Sequence, residues 1–443
     1  MKKVLVLGAG MVSKPIIQYL LGKGIGVVVA SPMKERADEI IGGNPLGSSV
    51  DWSMENKEML DALVAGTDIT VSLLPYAFHS DVALVSLRNR KSLVTTSYVQ
   101  PGIRALDSEA RNAGIIFLNE TGLDPGIDHM SAMKIIDHIH GSGGKVTKFY
   151  SLCGALPAPE TADNPMKYKF SWSPKGVILA SRNSALYLKD GHKVSIEPVN
   201  LFKDRFLFDF PGVGELEVYP NRDSLSYIDI YKIPEVTTMY RGTFRYPGWC
   251  ETLDLMKQLN MLDDSKGDYR GMSFSGFLAE RAGLDKNGLR NSLAEKFRLQ
   301  YDSVALKSLE FLGFFSDEQM NYGTTSPFEI VSDRMIERMG LRSGERDMVV
   351  MQHIFLAEYP DGRKEVIRSS MLDFGSVSTD TAISRTVALP AAIAVQMILE
   401  KKINLAGVYR PVIPEIYEPV LNELKKLGIE MNEEYSLPES VIK

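Results

Sequence analysis

The sequence contains few cysteines, no excess of basic charge and no long uninterrupted apolar run. Only Cys153 and Cys250 occur among 443 residues, which excludes a disulfide scaffold and favours a reducing, cytoplasmic compartment. The net charge of -6 predicts no nucleic-acid partner. The longest apolar run, 387–399, is interrupted by Pro390 and Gln396 and is shorter than the about 20 residues of a membrane span. With no signal peptide at the N-terminus, we expect a soluble, cytoplasmic protein.

A dinucleotide-binding turn is present near the N-terminus. Apolar residues 4–7 precede Gly8, Ala9, Gly10 and Met11, and Ser13 stands where the fingerprint G-x-G-x-x-G has its third glycine. Such a turn lets the backbone approach a pyrophosphate at a helix N-terminus. Strands and helices then alternate, which predicts a doubly wound Rossmann sheet of six parallel strands. The predicted strands are residues 4–7, 25–30, 48–51, 68–74, 92–96 and 115–118.

The choice of cofactor depends on the residues after the second strand. An acidic residue there would hold the ribose 2′-OH of NAD, whereas basic residues accept the 2′-phosphate of NADP. The sequence has Ser31, Lys34 and Arg36 and no acid at the strand tip, which favours NADP. Alternatively, Lys34 and Arg36 form the solvated face of a helix.

Two loops at the same edge of the sheet carry polar and aromatic side chains. Residues 74–79 end in His79, and residues 95–98 end in Ser97 and Tyr98. Both loops are expected to face the nicotinamide. For His79 the alternative is a helix N-terminal residue with no chemistry.

The segment NETGLDPGIDHM, residues 119–130, follows the sixth strand. It places Asp124 at the mouth of an open parallel sheet, where such folds bind their ligands. The alternative is that Asp124 caps the helix that begins near Ile127 and that Pro125 shapes the turn.

The second half of the chain predicts an α+β domain with a largely antiparallel sheet and a helical insertion. Alternating runs at 145–152, 215–219, 236–246, 348–359 and 365–372 predict strands, and Asp-Gly pairs at Asp190 and Asp361 predict hairpin turns. A helical pattern occupies 249–339. We therefore expect three parts, which are a Rossmann domain of residues 1–125 completed by 378–443, a substrate domain of 126–248 and 340–377, and a helical subdomain of 249–339.

Three clusters in this half are unusually polar, at residues 169–172, 221–223 and 241–245. Arginine grips carboxylates in a bidentate manner, so Arg222, Arg241 and Arg245 suggest a small substrate with several negative charges. Surface ion pairing, for example of Arg222 with Asp223, is the alternative.

Eight motifs in register extend over nearly the whole chain. They are GAGMVSKP at Gly8, SLLPYAFH at Ser72, VTTSYVQPG at Val94, NETGLDPGIDHM at Asn119, CGALPAPETADNPMKYKFSWSPKGV at Cys153, YPNRDS at Tyr219, RGTFRYPG at Arg241 and GERDMVVMQH at Gly344. Together they resemble the saccharopine reductase family, the NADP-dependent, L-glutamate-forming saccharopine dehydrogenases of lysine metabolism. The resemblance implies reduction of the imine of aminoadipate semialdehyde and glutamate to saccharopine, a tricarboxylate.

The resemblance also implies site residues. Substrate would be lined by Ser97, Tyr98, Asp124, Cys153, Trp172, Arg222, Thr243 and Arg245. NADP would be lined by Gly8, Ala9, Gly10, Met11, Ser31, Val50, Asp51, Leu73, Thr95, Thr96, Leu123 and Asp124. Asp124, Tyr98 and Cys153 are the titratable groups nearest the reacting carbon, and water is the alternative proton carrier. Pro32 stands where fungal relatives carry an arginine, so NAD stays open as the cofactor.

Other functions remain open at this point. Relatives with this architecture reduce other imines, as carboxynorspermidine dehydrogenase does, or oxidise lysine, and a non-catalytic NADP sensor is an alternative of another class. We expect a small-molecule substrate, no nucleic acid, no membrane and no metal, and a homodimer stays open.

Overall fold

The computed structural model describes residues 1–377 and 379–441. The chain forms two compact units. The first comprises Met1–Val146, Ile230–Ile233 and the described part of His353–Lys443, and the second comprises Thr147–Asp229 and Pro234–Gln352. The three-part division expected from the sequence stays a prediction.

Strands and helices alternate from the N-terminus. The elements up to residue 141 are β1 (Lys3–Leu7), α1 (Lys14–Gly22), β2 (Gly26–Ser31), α2 (Lys34–Ile41), β3 (Gly47–Asp51), α3 (Lys57–Ala65), β4 (Ile69–Ser72), α4 (His79–Arg88), β5 (Ser92–Thr95), α5 (Pro101–Arg104), α6 (Asp107–Ala113), β6 (Ile116–Leu118) and α7 (Ile127–Gly141).

The elements that follow are β7 (Lys145–Pro157), α8 (Pro174–Ala180), β8 (Ala185–Lys189), β9 (His192–Ile196), β10 (Phe206–Phe210), β11 (Gly214–Pro220), α9 (Ser226–Tyr231), β12 (Thr238–Arg245), α10 (Trp249–Gln258), β13 (Gly267–Asp268), α11 (Phe274–Ala282), α12 (Leu289–Phe297), α13 (Val304–Phe311), β14 (Thr324–Thr325), α14 (Pro327–Arg338), β15 (Asp347–Glu358), β16 (Lys364–Phe374), α15 (Ala382–Leu399), β17 (Gly407–Tyr409), α16 (Pro414–Lys426) and β18 (Asn432–Leu437).

A parallel sheet forms the core of the first unit, with strand order β17-β6-β5-β4-β1-β2-β3. Val4 to Leu7 of β1 are fully buried, as expected for a strand with helices on both faces. The Rossmann sheet is confirmed, but the expectation of six strands was wrong by one. The seventh strand, β17, comes from the far end of the chain and pairs with β6.

Helix α15 belongs to the core of the first unit. The Tyr19 hydroxyl on α1 donates a 2.6 Å hydrogen bond to Gln396 on α15. By length and composition, α15 is the one helix in the described part of the chain that would be able to cross a membrane, but most of it is buried inside the protein. This burial is typical of a core helix.

The second unit contains a sheet with the order β10-β11-β12-β7, in which β8 pairs with β12 and β9 with β8. The β12–β7 pair is parallel, and the other pairs of this group are antiparallel. Asp190 and Gly191 join β8 to β9 with positive φ of 48° and 82°, as a type I′ hairpin turn requires. The predicted largely antiparallel sheet is confirmed, and helices α10 to α14 form the predicted helical insertion.

Candidate functional site

The glycine-rich turn after β1 has the backbone geometry of a dinucleotide-binding loop. Gly8 has φ of 107°, and a Cβ there would lie 3.3 Å from the Leu73 carbonyl oxygen, so the position favours glycine. The Gly8 N–H donates to the Ala30 carbonyl at 2.9 Å. Ser13, in place of the third glycine, is buried and donates its hydroxyl to the Gly10 carbonyl at 2.8 Å. The turn therefore leads directly into α1, whose N-terminus suits a pyrophosphate.

The predicted cofactor residues lie at the carboxyl ends of the parallel strands, where the sheet binds ligands. Ser31 ends β2 opposite Asp51, the last residue of β3. The others lie in the turn after β1 (Gly8, Ala9, Gly10, Met11), near the ends of β3 and β5 (Val50, Thr95), or just after β4, β5 and β6 (Leu73, Thr96, Leu123, Asp124). One edge of the sheet therefore carries the whole set, and the role of each residue stays a prediction.

The basic residues after β2 differ in their surroundings. The Lys34 ammonium pairs with the Asp38 carboxylate one turn further along α2, at 2.7 Å, and Ser49 bonds to the same carboxylate. Arg36 is exposed on α2. A 2′-phosphate would therefore compete with Asp38 for Lys34, whereas Arg36 has no such partner among the described residues.

His79 is a buried residue that holds Ser97. Its Nδ1 lies 2.9 Å from the Ser72 hydroxyl and its Nε2 lies 2.8 Å from the Ser97 hydroxyl. Burial lowers the pKa of His79 to about 4, so the ring is neutral near pH 7. His79 is indeed the first residue of α4, as one of the two sequence interpretations expected, but it also fixes a predicted substrate residue.

Asp124 faces Tyr98 across two neighbouring loops. The Tyr98 hydroxyl lies 3.4 Å from Asp124 Oδ1, and the Asp124–Pro125 peptide bond is cis. The N-cap position of α7 is held by Gly126, whose N–H donates to the Asp128 carboxylate at 2.5 Å. Asp124 thus lies two residues before the cap position, with its carboxylate beside the hydroxyl of a second predicted site residue.

In the second unit, β12 brings several predicted substrate residues onto one face. Side chains alternate along a strand, so Arg241, Thr243 and Arg245 point to the same side. Thr243 is paired with Cys153 of β7 and with Tyr219 of β11. A polar face with a thiol, a threonine and two arginines results.

Arg245 is a buried cation without an acidic partner in the described part of the chain. Its guanidinium lies 5.0 Å from the ring centre of Tyr168 and 5.2 Å from that of Trp249, and it donates to the Phe244 carbonyl at 2.7 Å. Its Nε has no hydrogen-bond partner among the described residues. Glu217 lies opposite in the ladder, but its carboxylate accepts from the Cys250 N–H at 2.6 Å. The rings and the carbonyl offset part of the cost of burying this cation, and a bound carboxylate would lower that cost further.

Arg222 and Trp172 lie on loops of the second unit. Arg222 has φ of 49° and is exposed after β11. Its neighbour Asp223 accepts from the Leu225 N–H at 2.8 Å, at the start of α9. Trp172 is half-buried beside Tyr168. Burial raises the pKa of Tyr168, while Arg245 and Trp172 act in the opposite direction.

Sequence reasoning did not assign several residues that contact these groups. They are Tyr168, Tyr219 and Trp249 around Arg245, and Glu120, His129 and Arg410 around the Asp124 loop. Four of the six, Tyr168, Tyr219, Glu120 and His129, stand inside quoted motifs, so the motifs pointed to the right segments. In the described residues no group of three or more His, Cys, Asp or Glu side chains is placed to hold a metal ion.

The fold and these residues define a dinucleotide-dependent oxidoreductase. A family model for the saccharopine dehydrogenase NADP binding domain matches residues 4–118, and one for the saccharopine dehydrogenase C-terminal domain matches residues 122–429. The chain belongs to the saccharopine dehydrogenase family, and residues 4–118 are its NADP-binding part.

Proteins of known function are similar to this chain over most of its length. The chain is 38% identical to saccharopine dehydrogenase (NADP+, L-glutamate-forming) of Saccharomyces cerevisiae, over 98% of this chain and 99% of that protein. It is 36% identical to mitochondrial alpha-aminoadipic semialdehyde synthase of Bos taurus, over 97% of this chain and 47% of that protein. The structure matches the apo histidine-tagged saccharopine dehydrogenase (L-Glu forming) of S. cerevisiae with a TM-score of 0.91 and 36% identity, covering 99% of this chain and 100% of that one.

Proposed function

We propose that the chain catalyses the NADP-dependent interconversion of saccharopine with L-glutamate and L-2-aminoadipate 6-semialdehyde. The observation that carries the proposal is the buried Arg245 guanidinium, which has no acidic partner in the described part of the chain and lies on the same face of β12 as Thr243. Saccharopine has three carboxylates, and arginine binds carboxylates in a planar, bidentate manner. A non-catalytic NADP sensor would have no use for such a group.

The chain's residues have separate roles in this proposal. The loops at the carboxyl edge of the parallel sheet would hold the cofactor, whose oxidised and reduced forms would supply hydride transfer from and to the carbon next to the substrate nitrogen. Asp124 and Tyr98 hold the reacting nitrogen and place that carbon, and Ser97 assists from its bond to His79. Arg222 and Arg245 bind carboxylates, while Thr243, Trp172 and Cys153 line the substrate. Water carries the protons of carbinolamine formation unless Asp124, Tyr98 or Cys153 does.

Turnover of saccharopine tests the proposal. Purified protein is mixed with saccharopine and NADP, and the absorbance of the reduced nicotinamide is followed. Parallel reactions replace NADP by NAD, replace saccharopine by lysine, or offer a polyamine imine with the reduced cofactor. We expect turnover with saccharopine and a preference for NADP. Turnover of lysine alone would favour a lysine dehydrogenase, reduction of a polyamine imine alone would favour a carboxynorspermidine dehydrogenase, and no turnover of any substrate would favour the sensor.

Location and assembly are part of the proposal. Both cysteines are buried and neither forms a disulfide, which supports a reducing, cytoplasmic setting. Fractionation of cells expressing a tagged chain tests the location, and light scattering of the purified protein distinguishes a monomer from a homodimer.

A further inference from the structure

Glu120 binds the chain on both sides of Tyr98. Its N–H donates to the Ser97 carbonyl at 3.0 Å, and its Oε1 accepts from the Val99 N–H at 2.9 Å. Glu120 is the second residue of the loop that carries Asp124, and its φ of 59° is left-handed. The two contacts attach the segment around Tyr98 to the loop around Asp124. The Tyr98 hydroxyl and Asp124 Oδ1 lie 3.4 Å apart.

The carboxylate that makes this contact is buried and charged. Glu120 is 2% exposed, and burial by itself would raise its pKa. The hydrogen bond from His129, the charge of Arg410 and the Val99 N–H outweigh burial and lower the pKa of Glu120 to about 2. The Arg410 Nε lies 2.7 Å from Glu120 Oε1, and His129 Nε2 lies 2.7 Å from Oε2. A buried carboxylate is tolerated when such partners are present.

Arg410 reaches Glu120 because the sheet has a seventh strand. β17 pairs with β6 so that Tyr409 lies opposite Leu118, and the Asn119 N–H donates to the Tyr409 carbonyl at 3.0 Å. The residue that follows β17 is Arg410, and the residues that follow β6 are Asn119 and Glu120, at the start of the loop that carries Asp124. The far end of the chain thus supplies the charge that holds Glu120 in place.

We propose that Glu120, fixed by Arg410, is a positioning residue that sets Tyr98 against Asp124 for catalysis. The inference rests on the proposed function, because it names the support of the same site. Glu120 acts through Tyr98 and Asp124 and touches neither substrate nor cofactor. Its effect is on the geometry of the two side chains, and a misplacement of about 1 Å at a reacting centre can cost roughly 100-fold in rate.

The test uses Glu120→Gln, Arg410→Gln and Arg410→Lys in the full chain. Gln at position 120 keeps the shape but loses the charge, so we expect kcat with saccharopine to fall by roughly 10- to 100-fold, with the KM for NADP unchanged. Arg410→Gln should act in the same direction, and Arg410→Lys should recover part of the rate because the cation is kept. The control is Arg368→Gln, which removes a surface ion pair of 2.7 Å to Glu434 in the same unit and should keep the kcat of the unmodified protein.

Hydrogen–deuterium exchange separates this inference from the proposed function. The Val99 amide donates to Glu120, so Glu120→Gln and Arg410→Gln should speed exchange in the peptide of residues 97–100, and Arg368→Gln should not. This result is expected even if the unmodified protein turns over a different substrate. Unchanged exchange and kcat in Arg410→Gln would overturn the inference, as would a loss of activity that merely follows the folded fraction. If Glu120→Gln does not fold, kcat and exchange in Arg410→Gln and Arg410→Lys test the inference on their own.

Discussion

The Tyr98 hydroxyl and the Asp124 carboxylate lie 3.4 Å apart although 26 positions separate them in the sequence. Tyr98 follows β5 and Asp124 follows β6, and these strands are parallel neighbours. The carboxyl ends of parallel strands meet at one edge of the sheet, which brings the two loops together there. In the proposed function this hydroxyl and this carboxylate hold the substrate amine beside the nicotinamide.

Replacement of Asp124 by asparagine should reduce turnover without unfolding the protein. Asn keeps the size of the side chain but removes the negative charge that would face the substrate nitrogen. We expect kcat to fall by roughly 10- to 1000-fold, the range of a positioned acid, base or electrostatic group. Asp124 is also among the predicted cofactor residues, but Asn keeps its size and polarity, so NADP binding, followed by fluorescence titration, should be kept.

Thermal denaturation gives the control for this variant. Gly126 occupies the cap position of α7, so Asp124→Asn should melt within a few degrees of the unmodified protein. Asp61→Asn, which removes a surface partner of Arg88, should keep both melting temperature and turnover. An Asp124→Asn protein that melts early yet keeps its activity per folded molecule would indicate a structural role instead.

His79 should make stability depend on pH. Its pKa is 6.5 when unfolded and about 4 when folded, because burial disfavours the charged ring. Between these values the unfolded chain binds a proton that the native protein does not, so stability is full above pH 6.5 and is lost as the pH falls toward 4. Between pH 7.5 and pH 5 this contributes a loss of about 2 kcal/mol.

Urea unfolding of His79→Gln at the two pH values checks this prediction. Gln is neutral at both pH values. From pH 7.5 to pH 5, the free energy of unfolding of the variant should therefore fall by about 2 kcal/mol less than that of the unmodified protein. His192→Gln, on the exposed strand β9, should behave like the unmodified protein. Equal pH dependence of the His79→Gln variant and the unmodified protein would contradict a buried neutral histidine.

The nucleotide-binding half was predictable because its signals are local. Strands such as β1 are buried on both faces and read as apolar runs, and the turn at Gly8 needs a residue that tolerates positive φ. β17 was missed because its residues, Gly-Val-Tyr, do not form the apolar run that marks the equally short β6, Ile-Phe-Leu. The contact of Arg410 with Glu120 joins positions 290 apart, and no local pattern reports it.

In the substrate half, the sequence predicted which segments carry the site residues but not the contacts that those residues make. The alternation in β12 places Arg241, Thr243 and Arg245 on one face. Whether Arg245 has an acidic partner depends on Glu217, which lies opposite but bonds to the Cys250 N–H instead. Tertiary packing decides which partner the Glu217 carboxylate bonds to, and no local sequence pattern reports it.

Cofactor preference should depend more on Arg36 than on Lys34. Lys34 is already paired with Asp38 at 2.7 Å, whereas Arg36 is exposed near the end of β2. A charge-assisted contact contributes about 1.5 to 3 kcal/mol, so Arg36→Glu should weaken NADP binding by roughly 10- to 150-fold and leave NAD binding unchanged. Lys34→Glu should have a smaller effect, and Lys57→Glu, an exposed charge change on α3, should have none. Equal affinities for the two cofactors in the unmodified protein would contradict the prediction.

The kinetics of Arg222 and Arg245 variants should show whether the substrate is a tricarboxylate or lysine. Arg245→Met keeps much of the side-chain volume between Tyr168 and Trp249 and removes the charge, and Arg222→Ala removes the exposed side chain. Each should raise the KM for saccharopine by roughly 10- to 150-fold and leave NADP affinity alone. Arg245→Lys should recover only part of the loss because lysine lacks the planar fork.

Stability measurements add a second readout for Arg245. Replacing a residue that serves binding should not destabilise the free protein, whereas replacing one that serves folding should. The guanidinium has no acidic partner among the described residues, so removing its charge removes a cost of the free protein. We expect Arg245→Met to unfold at an equal or higher urea concentration while its KM for saccharopine rises. A strongly destabilised Arg245→Met protein with an unchanged KM would assign the residue to the core. If the unmodified protein oxidised lysine as well as saccharopine, or if neither arginine variant changed saccharopine kinetics, the tricarboxylate assignment would fail and a lysine dehydrogenase would explain the site better.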